Sequence, residues 1–388
     1  MALKNSRIFI TATSLLMGVA IVFGLSKLGN SSVGPIEQLL NSMQNTVHAI
    51  EQKGIIKERQ ETRNEKLKWL KKYINNIDEL KNPKPIFLGA FDNNAITNFK
   101  PVLQLEDSLG TYFPFIHIYT AWGSEKNQEF PKKQVMDIKD LGSIPVITWE
   151  PWLTDFDQTQ HPNLRPTATR DKKGMIDVAN GVYDFYIKQW ALEAKKVRTP
   201  IIIRLAHEMN DPYRYPWGPQ NNNPKEFVLA WKHVHDLFKN QGVNNIIWVW
   251  APHPAYGYFK DYYPGSDYVD YVGAGTLNYG PVVNWGKWWS FDEILGNHYE
   301  ELSHFKKPMM LTEFASLAYG GDRKKWYNDA LRDIPVKYPL VKSLLIFHFD
   351  ADNTTTLQVL NWNIINDKEI INIFKDNVKK WPDSLQMK

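Results

Sequence analysis

The sequence predicts an α/β fold, a closed (β/α)8 or TIM barrel, on three observations. From Pro83 onward, short apolar runs alternate with amphipathic helical stretches, which indicates parallel strands covered by helices. Eight such runs occur, the number of strands that closes a barrel of this kind. Polar and aromatic residues follow these runs, as expected at the C-terminal rim of such a barrel.

The chain begins with a candidate membrane segment. Residues 8–25 are uncharged and mostly apolar, and a helix rising about 1.5 Å per residue would here be just long enough to cross a bilayer. Lys4 and Arg7 precede it and Lys27 alone closely follows, so we expect the N-terminus in the cytoplasm and the remainder outside. The residues after the run form a poor cleavage site, which favours a retained anchor over a cleaved signal peptide. The protein is therefore predicted to be membrane-anchored, or secreted if this segment is cleaved.

The next stretch has a different composition. Few aromatic residues occur before residue 80, and spaced Ile and Leu residues at helical intervals stand among Gln, Asn, Glu and Lys. This pattern predicts a helical stalk or linker. The predicted organisation is an anchor or signal segment at 1–30, a stalk at 31–80 and the barrel domain at 81–388.

The eight strands can be assigned in chain order. Their predicted ranges are Ile86–Ala90, Phe115–Tyr119, Ile144–Thr148, Pro200–Leu205, Asn245–Trp250, Tyr268–Ala274, Pro308–Leu311 and Ser343–Phe347. Tyr183–Lys195 and Phe227–Lys239 are examples of the helical patterns between them.

Composition narrows the possible partners. A formal net charge of +4, with basic and acidic residues interspersed, gives no indication of a nucleic-acid groove. The absence of cysteine excludes disulfides and thiolate metal sites. The 15 Trp and 18 Tyr residues suit stacking on sugar faces and also fill cores well.

Two of the predicted strands end in a glutamate. The fourth strand leads into His207 and Glu208, and the seventh leads into Glu313. Carboxylates at the tips of these strands can reach across the barrel mouth. Hydrolysis of a glycosidic bond typically requires two such carboxyl groups. A separation of roughly 5–5.5 Å would give retention of configuration. Arg204 is expected to keep a neighbouring carboxylate ionised, because an opposite charge lowers its pKa.

The sequence lacks the motifs of zinc-dependent, serine-nucleophile and phosphate-binding enzymes. His207-Glu208 could begin a zinc-binding helix, but Asp211 stands where the second histidine is required, and Pro212 would disrupt the helix. Neither a Gly-x-Ser-x-Gly elbow nor a phosphate-binding glycine loop is present in the sequence. We therefore predict no metal and no cofactor.

The sequence resembles glycoside hydrolase family 26, which consists mostly of β-mannanases. The motifs that carry the resemblance stand in the family's order over about residues 85–350, and they are Arg204–Asn210 with Trp217-Gly218, Trp248–Pro252, Tyr262–Gly265, Val269–Gly273 and Thr312–Phe314. The resemblance implies that Glu208 is the acid/base and Glu313 the nucleophile.

The same resemblance implies substrate-binding positions. It makes His207 orient groups near the reacting sugar and makes Trp149 part of a stacking platform. Either Tyr213 or Trp217 would supply the aromatic ring that follows Asn210. The family places a tyrosine near the nucleophile after the sixth strand, where Leu277 stands here with Tyr279 two positions on.

His117 can be interpreted in two ways from the sequence alone. It is either a hydrogen-bond donor to the substrate or a satisfied polar residue inside the barrel.

The sequence therefore predicts an extracytoplasmic endo-β-glycanase that cleaves a polysaccharide with retention, the substrate being mannan-like by resemblance. The catalytic domain is expected to be monomeric. Two alternatives remain. One is a mixed-linkage β-1,3-1,4-glucanase or a hydrolase that processes an exopolysaccharide, and the other is a barrel that binds polysaccharide without cutting it.

Overall fold

The computed structural model describes residues 33–382, except 97, 284, 285 and 357. The predicted membrane segment, residues 8–25, lies outside this part of the chain. Within residues 33–382, apart from the four exceptions, no helix is both long and apolar enough to span a bilayer. The chain divides into two compact units, residues 1–50 and 51–388, so the boundary predicted at residue 80 falls inside the second unit.

The second unit contains a closed barrel of eight parallel strands, which confirms the predicted fold class. Neighbouring strands follow one another in sequence, and β1 pairs with β8 to close the sheet. The strands are β1 Phe87–Asp92, β2 Phe115–Ala121, β3 Ile144–Glu150, β4 Ile201–Leu205, β5 Ile246–Trp250, β6 Tyr271–Asn278, β7 Met309–Ser316 and β8 Val341–His348. β6 and β7 extend past their predicted ends, because polar residues such as Asn278 and Ser316 continue the ladder toward the barrel mouth.

Helices alternate with the strands. They are α1 Val33–Lys66, α2 Lys71–Asn75, α3 Ile77–Lys81, α4 Lys100–Leu109, α5 Lys132–Asp140, α6 Thr167–Arg170, α7 Gly174–Ala179, α8 Asp184–Val197, α9 Pro224–Asn240, α10 Phe259–Tyr262, α11 Asn297–Ser303, α12 Arg323–Lys337 and α13 Lys368–Val378. The start of α9 follows from its sequence: Asn223 and Glu226 form a reciprocal capping box and Pro224 occupies the first turn.

Residues 67–80 close the N-terminal end of the barrel. Leu70 and Tyr73 are buried in a cluster with the first residues of several strands, among them Phe87 and Phe115. The Tyr271 hydroxyl also donates a 2.6 Å hydrogen bond to the carbonyl of Leu80. This segment of the predicted stalk therefore contributes core, and it leaves the opposite, C-terminal rim as the open face.

A buried ion pair fixes the end of α1 to the barrel unit. Arg63 pairs with Glu106 of α4, and both side chains are almost completely buried. Arg63 also donates to the Leu141 carbonyl at 2.7 Å and to Ser143 Oγ at 2.7 Å. Glu106 Oε1 accepts the Phe113 amide at 2.6 Å, so both charges are hydrogen-bonded as burial requires.

We expect Glu106→Ala to lower the free energy of unfolding by about 3–5 kcal/mol, because it leaves the Arg63 charge buried and unpaired. Urea denaturation measures this loss. The matched control is Asp107→Ala, which removes the exposed pair with Arg59 and should cost less than about 1 kcal/mol. Equal losses in the two variants would contradict the assigned difference in burial.

Candidate active site

A strained turn after β4 presents Glu208 at the barrel mouth. Ala206 has φ of +42° and Glu208 has φ of +53°, in the left-handed region that residues other than glycine rarely occupy. The Ala206 amide donates to the Trp149 carbonyl at 3.0 Å, and the Glu208 amide donates to the Ala251 carbonyl at 2.7 Å. These bonds hold the turn against the strands on either side, as expected where strain persists at a functional site.

Glu313 is fixed by two donors on one oxygen. Its Oε1 accepts hydrogen bonds from Arg204 Nη2 at 2.6 Å and from the Tyr119 hydroxyl at 2.7 Å. Arg204 is itself held by Thr148 Oγ1 at 2.7 Å and Thr312 Oγ1 at 3.0 Å. The predicted proximity of Arg204 to a carboxylate is thus confirmed, and that carboxylate is Glu313.

The two glutamates have opposite electrostatic environments. Burial raises the pKa of Glu313, but the charge of Arg204 and the hydrogen bonds from Tyr119 and Arg204 outweigh it, so the pKa is lowered. Burial likewise raises the pKa of Glu208, and the negative charge of Glu313 adds to the increase against opposing His253 and Arg214. Glu208 Oε2 is buried and accepts no hydrogen bond from the described residues. These surroundings therefore favour the ionised form of Glu313 and the protonated form of Glu208.

Gly275 of β6 lies close to both carboxylates. A Cβ at this position would stand 3.5 Å from Glu208 Oε1 and 3.8 Å from Glu313 Oε2. The two oxygens are therefore no more than about 7 Å apart, a range that includes the ~5–5.5 Å typical of retaining glycosidases.

His207 lies beside Glu208 and contacts two stacked aromatic residues, Tyr215 and Trp217. Its Nε2 lies 2.9 Å from the Tyr215 hydroxyl, and Trp217 Nε1 donates to the His207 carbonyl at 2.8 Å. The Tyr215 and Trp217 rings stack at 4.6 Å, and Trp217 is 1% exposed. Of the two aromatic residues predicted after Asn210, Tyr213 is the accessible one at 81% exposure.

The prediction of Trp149 as a stacking platform is wrong. Trp149 is fully buried and packs on Trp190 at 4.2 Å and Trp122 at 4.8 Å, on the helix side of the sheet. Successive side chains of a strand point to opposite faces, so Glu150 takes the position at the mouth. Glu150 Oε1 is 3.9 Å from His207 Nδ1, and burial raises the pKa of Glu150 to about 7. Counting the alternation along β3 could have identified this third carboxylate.

Two further residues singled out from the sequence, His117 and Tyr279, make other contacts in the structure. His117 is buried with Nε2 2.7 Å from Thr148 Oγ1, and burial together with Arg204 lowers its pKa well below the usual value, which matches a polar residue inside the barrel. The Tyr279 hydroxyl lies 3.3 Å from Thr355 Oγ1, and its ring packs edge-on against Trp362. The hydroxyl that donates to Glu313 belongs to Tyr119 of β2, a residue that no motif in the sequence singles out.

One group of side chains among the described residues has an arrangement compatible with a metal ion. Ligand atoms of Glu208, Asp211 and His253 lie within 4.8 Å of one another. However, Asp211 Oδ1 accepts the Tyr213 amide at 2.8 Å and His253 Nδ1 accepts the Ala255 amide at 3.2 Å. These two atoms therefore already serve to shape the loops beside Glu208.

Residues 136–377 match Glycosyl hydrolase family 26. The chain is similar to endoglucanase H of Acetivibrio thermocellus, at 27% identity over 71% of this chain and 29% of that protein. It is also similar to a mannan endo-1,4-beta-mannosidase of Bacillus subtilis strain 168, at 27% identity over 38% of each chain. The match thus spans 29% to 38% of the length of these relatives.

A solved structure shares the fold. Bacillus subtilis mannanase man26 superimposes with a TM-score of 0.53 at 19% identity, over 78% of this chain and 88% of that one.

The contrasting positions of Trp149 and Tyr213 can be tested through stability. We expect Trp149→Ala to lower the free energy of unfolding by about 3–5 kcal/mol, because it leaves a cavity beneath the helices. Tyr213→Ala, a change of exposed aromatic surface, should stay within about 0.5 kcal/mol of the parent protein. Urea denaturation of both variants gives the comparison, and an unchanged stability of Trp149→Ala would refute the outward-facing placement.

Proposed function

The chain belongs to glycosyl hydrolase family 26, and on this basis we propose that it is a retaining endo-β-glycanase acting on a mannan-like polysaccharide. The observation that carries this proposal is the pair of Glu208 and Glu313, both close to Gly275, with pKa values shifted in opposite directions. A general acid and a nucleophile of one reaction need such a difference. It also argues against a barrel that merely binds polysaccharide.

The proposed reaction proceeds in two displacements. Ionised Glu313 attacks the anomeric carbon, while protonated Glu208 gives its proton to the departing glycosidic oxygen, so the bond to the leaving sugar breaks as the bond to Glu313 forms. Glu208, now ionised, takes a proton from water, which attacks the same carbon and releases Glu313. Arg204 and Tyr119 hold the nucleophile's other oxygen and keep it oriented during both steps.

The substrate is proposed from the relatives. The similarity to a mannan endo-1,4-beta-mannosidase supports a mannan-like backbone. The relative that covers 71% of this chain is an endoglucanase, which keeps a mixed-linkage glucanase or an exopolysaccharide-processing hydrolase as the second candidate. Release of reducing ends from mannan, glucomannan, lichenan and xylan separates them, and cleavage of lichenan alone would refute the mannan assignment.

The location is likewise a proposal. The apolar run at residues 8–25, with Lys4 and Arg7 before it, supports a membrane anchor that holds a monomeric catalytic unit outside the cytoplasm.

Removing either carboxylate should produce a distinct chemical signature. We expect Glu313→Ala and Glu208→Ala each to reduce kcat at least about 10³-fold on the glycan that the parent protein cleaves. Azide can then replace the missing group on an aryl glycoside of that sugar. In Glu313→Ala it attacks from the vacated face and gives the inverted α-glycosyl azide, whereas in Glu208→Ala it attacks the covalent intermediate and gives the β-azide.

Nuclear magnetic resonance of the azide products distinguishes the two configurations. Asp107→Ala, on the exposed surface of α4, is the control and should keep full activity. Identical azide products from both glutamate variants would contradict the assigned roles.

The hydrogen bond from Tyr119 should set the acidic limit of activity. Glu313 must be ionised, so activity is present above its pKa and is lost as the pH falls through it. Tyr119→Phe removes a hydrogen bond that stabilises the ionised form and should raise this pKa. The acidic limb of the kcat/KM profile should therefore move to higher pH. Tyr215→Phe, which loses a contact with His207 instead, should leave that limb in place.

A further inference from the structure

The site contains two arginines that are used differently. Arg204 is 1% exposed, and its guanidinium donates to Glu313, Tyr119, Thr148 and Thr312. The guanidinium of Arg214 makes one hydrogen bond among the described residues, from Nη2 to Thr354 Oγ1 at 3.2 Å. Its side chain is 32% exposed, so it offers N–H donors to the open mouth. Among the described residues, Arg214 thus has no carboxylate within hydrogen-bonding distance.

Arg214 is held in place without being neutralised. Its guanidinium carbon lies 5.1 Å from the centre of the Tyr215 ring, which restricts the side chain. The nearest carboxylate oxygen is Glu208 Oε2 at 4.0 Å from Nη1, too far for a hydrogen bond. Because β4 stands opposite β8 in the barrel, the contact with Thr354 directs this side chain across the mouth.

The charge of Arg214 opposes the role proposed for Glu208. A general acid must hold its proton, whereas a cation 4.0 Å away favours the ionised carboxylate. A negatively charged group bound by Arg214 would offset that effect during the reaction. Arg214 lies beside the acid, which faces the leaving sugar, and the nucleophile is held by Arg204 instead. An anion bound by Arg214 is therefore expected on the leaving-group side.

We propose that Arg214 binds a carboxylate carried by the leaving-group sugar, so that the preferred substrate is an acidic, uronate-containing polysaccharide. A planar guanidinium with free N–H donors matches the two oxygens of a carboxylate. This inference rests on the proposed glycanase function and specifies its substrate class. It is compatible with the exopolysaccharide alternative, whereas a purely neutral glycan would offer Arg214 no carboxylate.

The test compares one backbone with and without carboxylates. Of mannan, glucomannan and lichenan, which are built of hexoses, the one that the protein cleaves best is oxidised partially at C6, which converts some hexose units to uronates. Digestion products of the full chain are then sequenced by mass spectrometry. We expect uronate to be enriched roughly tenfold or more at the newly formed non-reducing ends, where the leaving-group sugar is found, as a charge-assisted hydrogen bond would give.

Variants connect this enrichment to Arg214. Arg214→Gln should abolish it, and Arg214→Lys, which keeps the charge and loses the two-pronged geometry, should retain a part. Lys287→Gln is the matched control, because it removes a positive charge from the loop after β6 and should preserve the enrichment. Thermal unfolding of each variant establishes that the fold is intact.

The outcomes separate the two proposals. Cleavage with random or depleted uronate at the new ends, enrichment that persists in Arg214→Gln, or failure to cut the oxidised glycan would each overturn the role of Arg214 and leave the glycanase function standing. Failure to cut any neutral or oxidised glycan would overturn the glycanase function and this inference with it.

Discussion

The buried contact between Arg204 and Glu313 is the interaction on which the site depends. It joins β4 to β7 across the barrel interior, and the same guanidinium reaches β3 through Thr148 and β2 through Tyr119. Four strands thereby share one cation, which can remain buried because each nitrogen of its guanidinium donates to an oxygen. The orientation of Glu313 follows from this network, and so does its lowered pKa. The rest of the site can then be arranged around a carboxylate of fixed position and charge.

The pKa of the second carboxylate, Glu208, shifts in the opposite direction, because its surroundings lack the hydrogen-bond donors that surround Glu313. Glu208 stands on a left-handed turn next to β4, its Oε2 accepts no hydrogen bond from the described residues, and Glu313 repels its negative charge. Arg214 approaches without forming a hydrogen bond to it. Glu208 and Glu313 are chemically identical side chains, and their pKa values differ because the residues around each carboxylate supply different numbers of hydrogen-bond donors. A charged substrate group at Arg214 would add to this asymmetry during the reaction.

Much of the architecture could be predicted because it depends on local pattern. Eight apolar runs appear as eight strands, and the rim position of Glu208 and Glu313 follows from their place after two of those runs. The sequence does not predict correctly which face of a strand a side chain occupies or which distant residue it contacts. Trp149 and Glu150 are neighbours, and the pleat of β3 sends the tryptophan toward the helices and the glutamate toward the mouth. Tyr119 reaches Glu313 over 194 positions of sequence, which no periodicity reveals.

The sequence by itself determined the barrel, the two glutamates and the arginine before them, because hydrophobic alternation and strand-end polarity are properties of short segments. Tertiary structure alone decided which tyrosine holds the nucleophile, which third carboxylate faces the mouth and which arginine is left with free donors. Those properties depend on distances between strands far apart in the chain and on how many groups compete for each charge. The stretch from Arg204 to Glu208 contains both kinds of information, since its residues can be read in order but their partners come from β2, β3, β5 and β7.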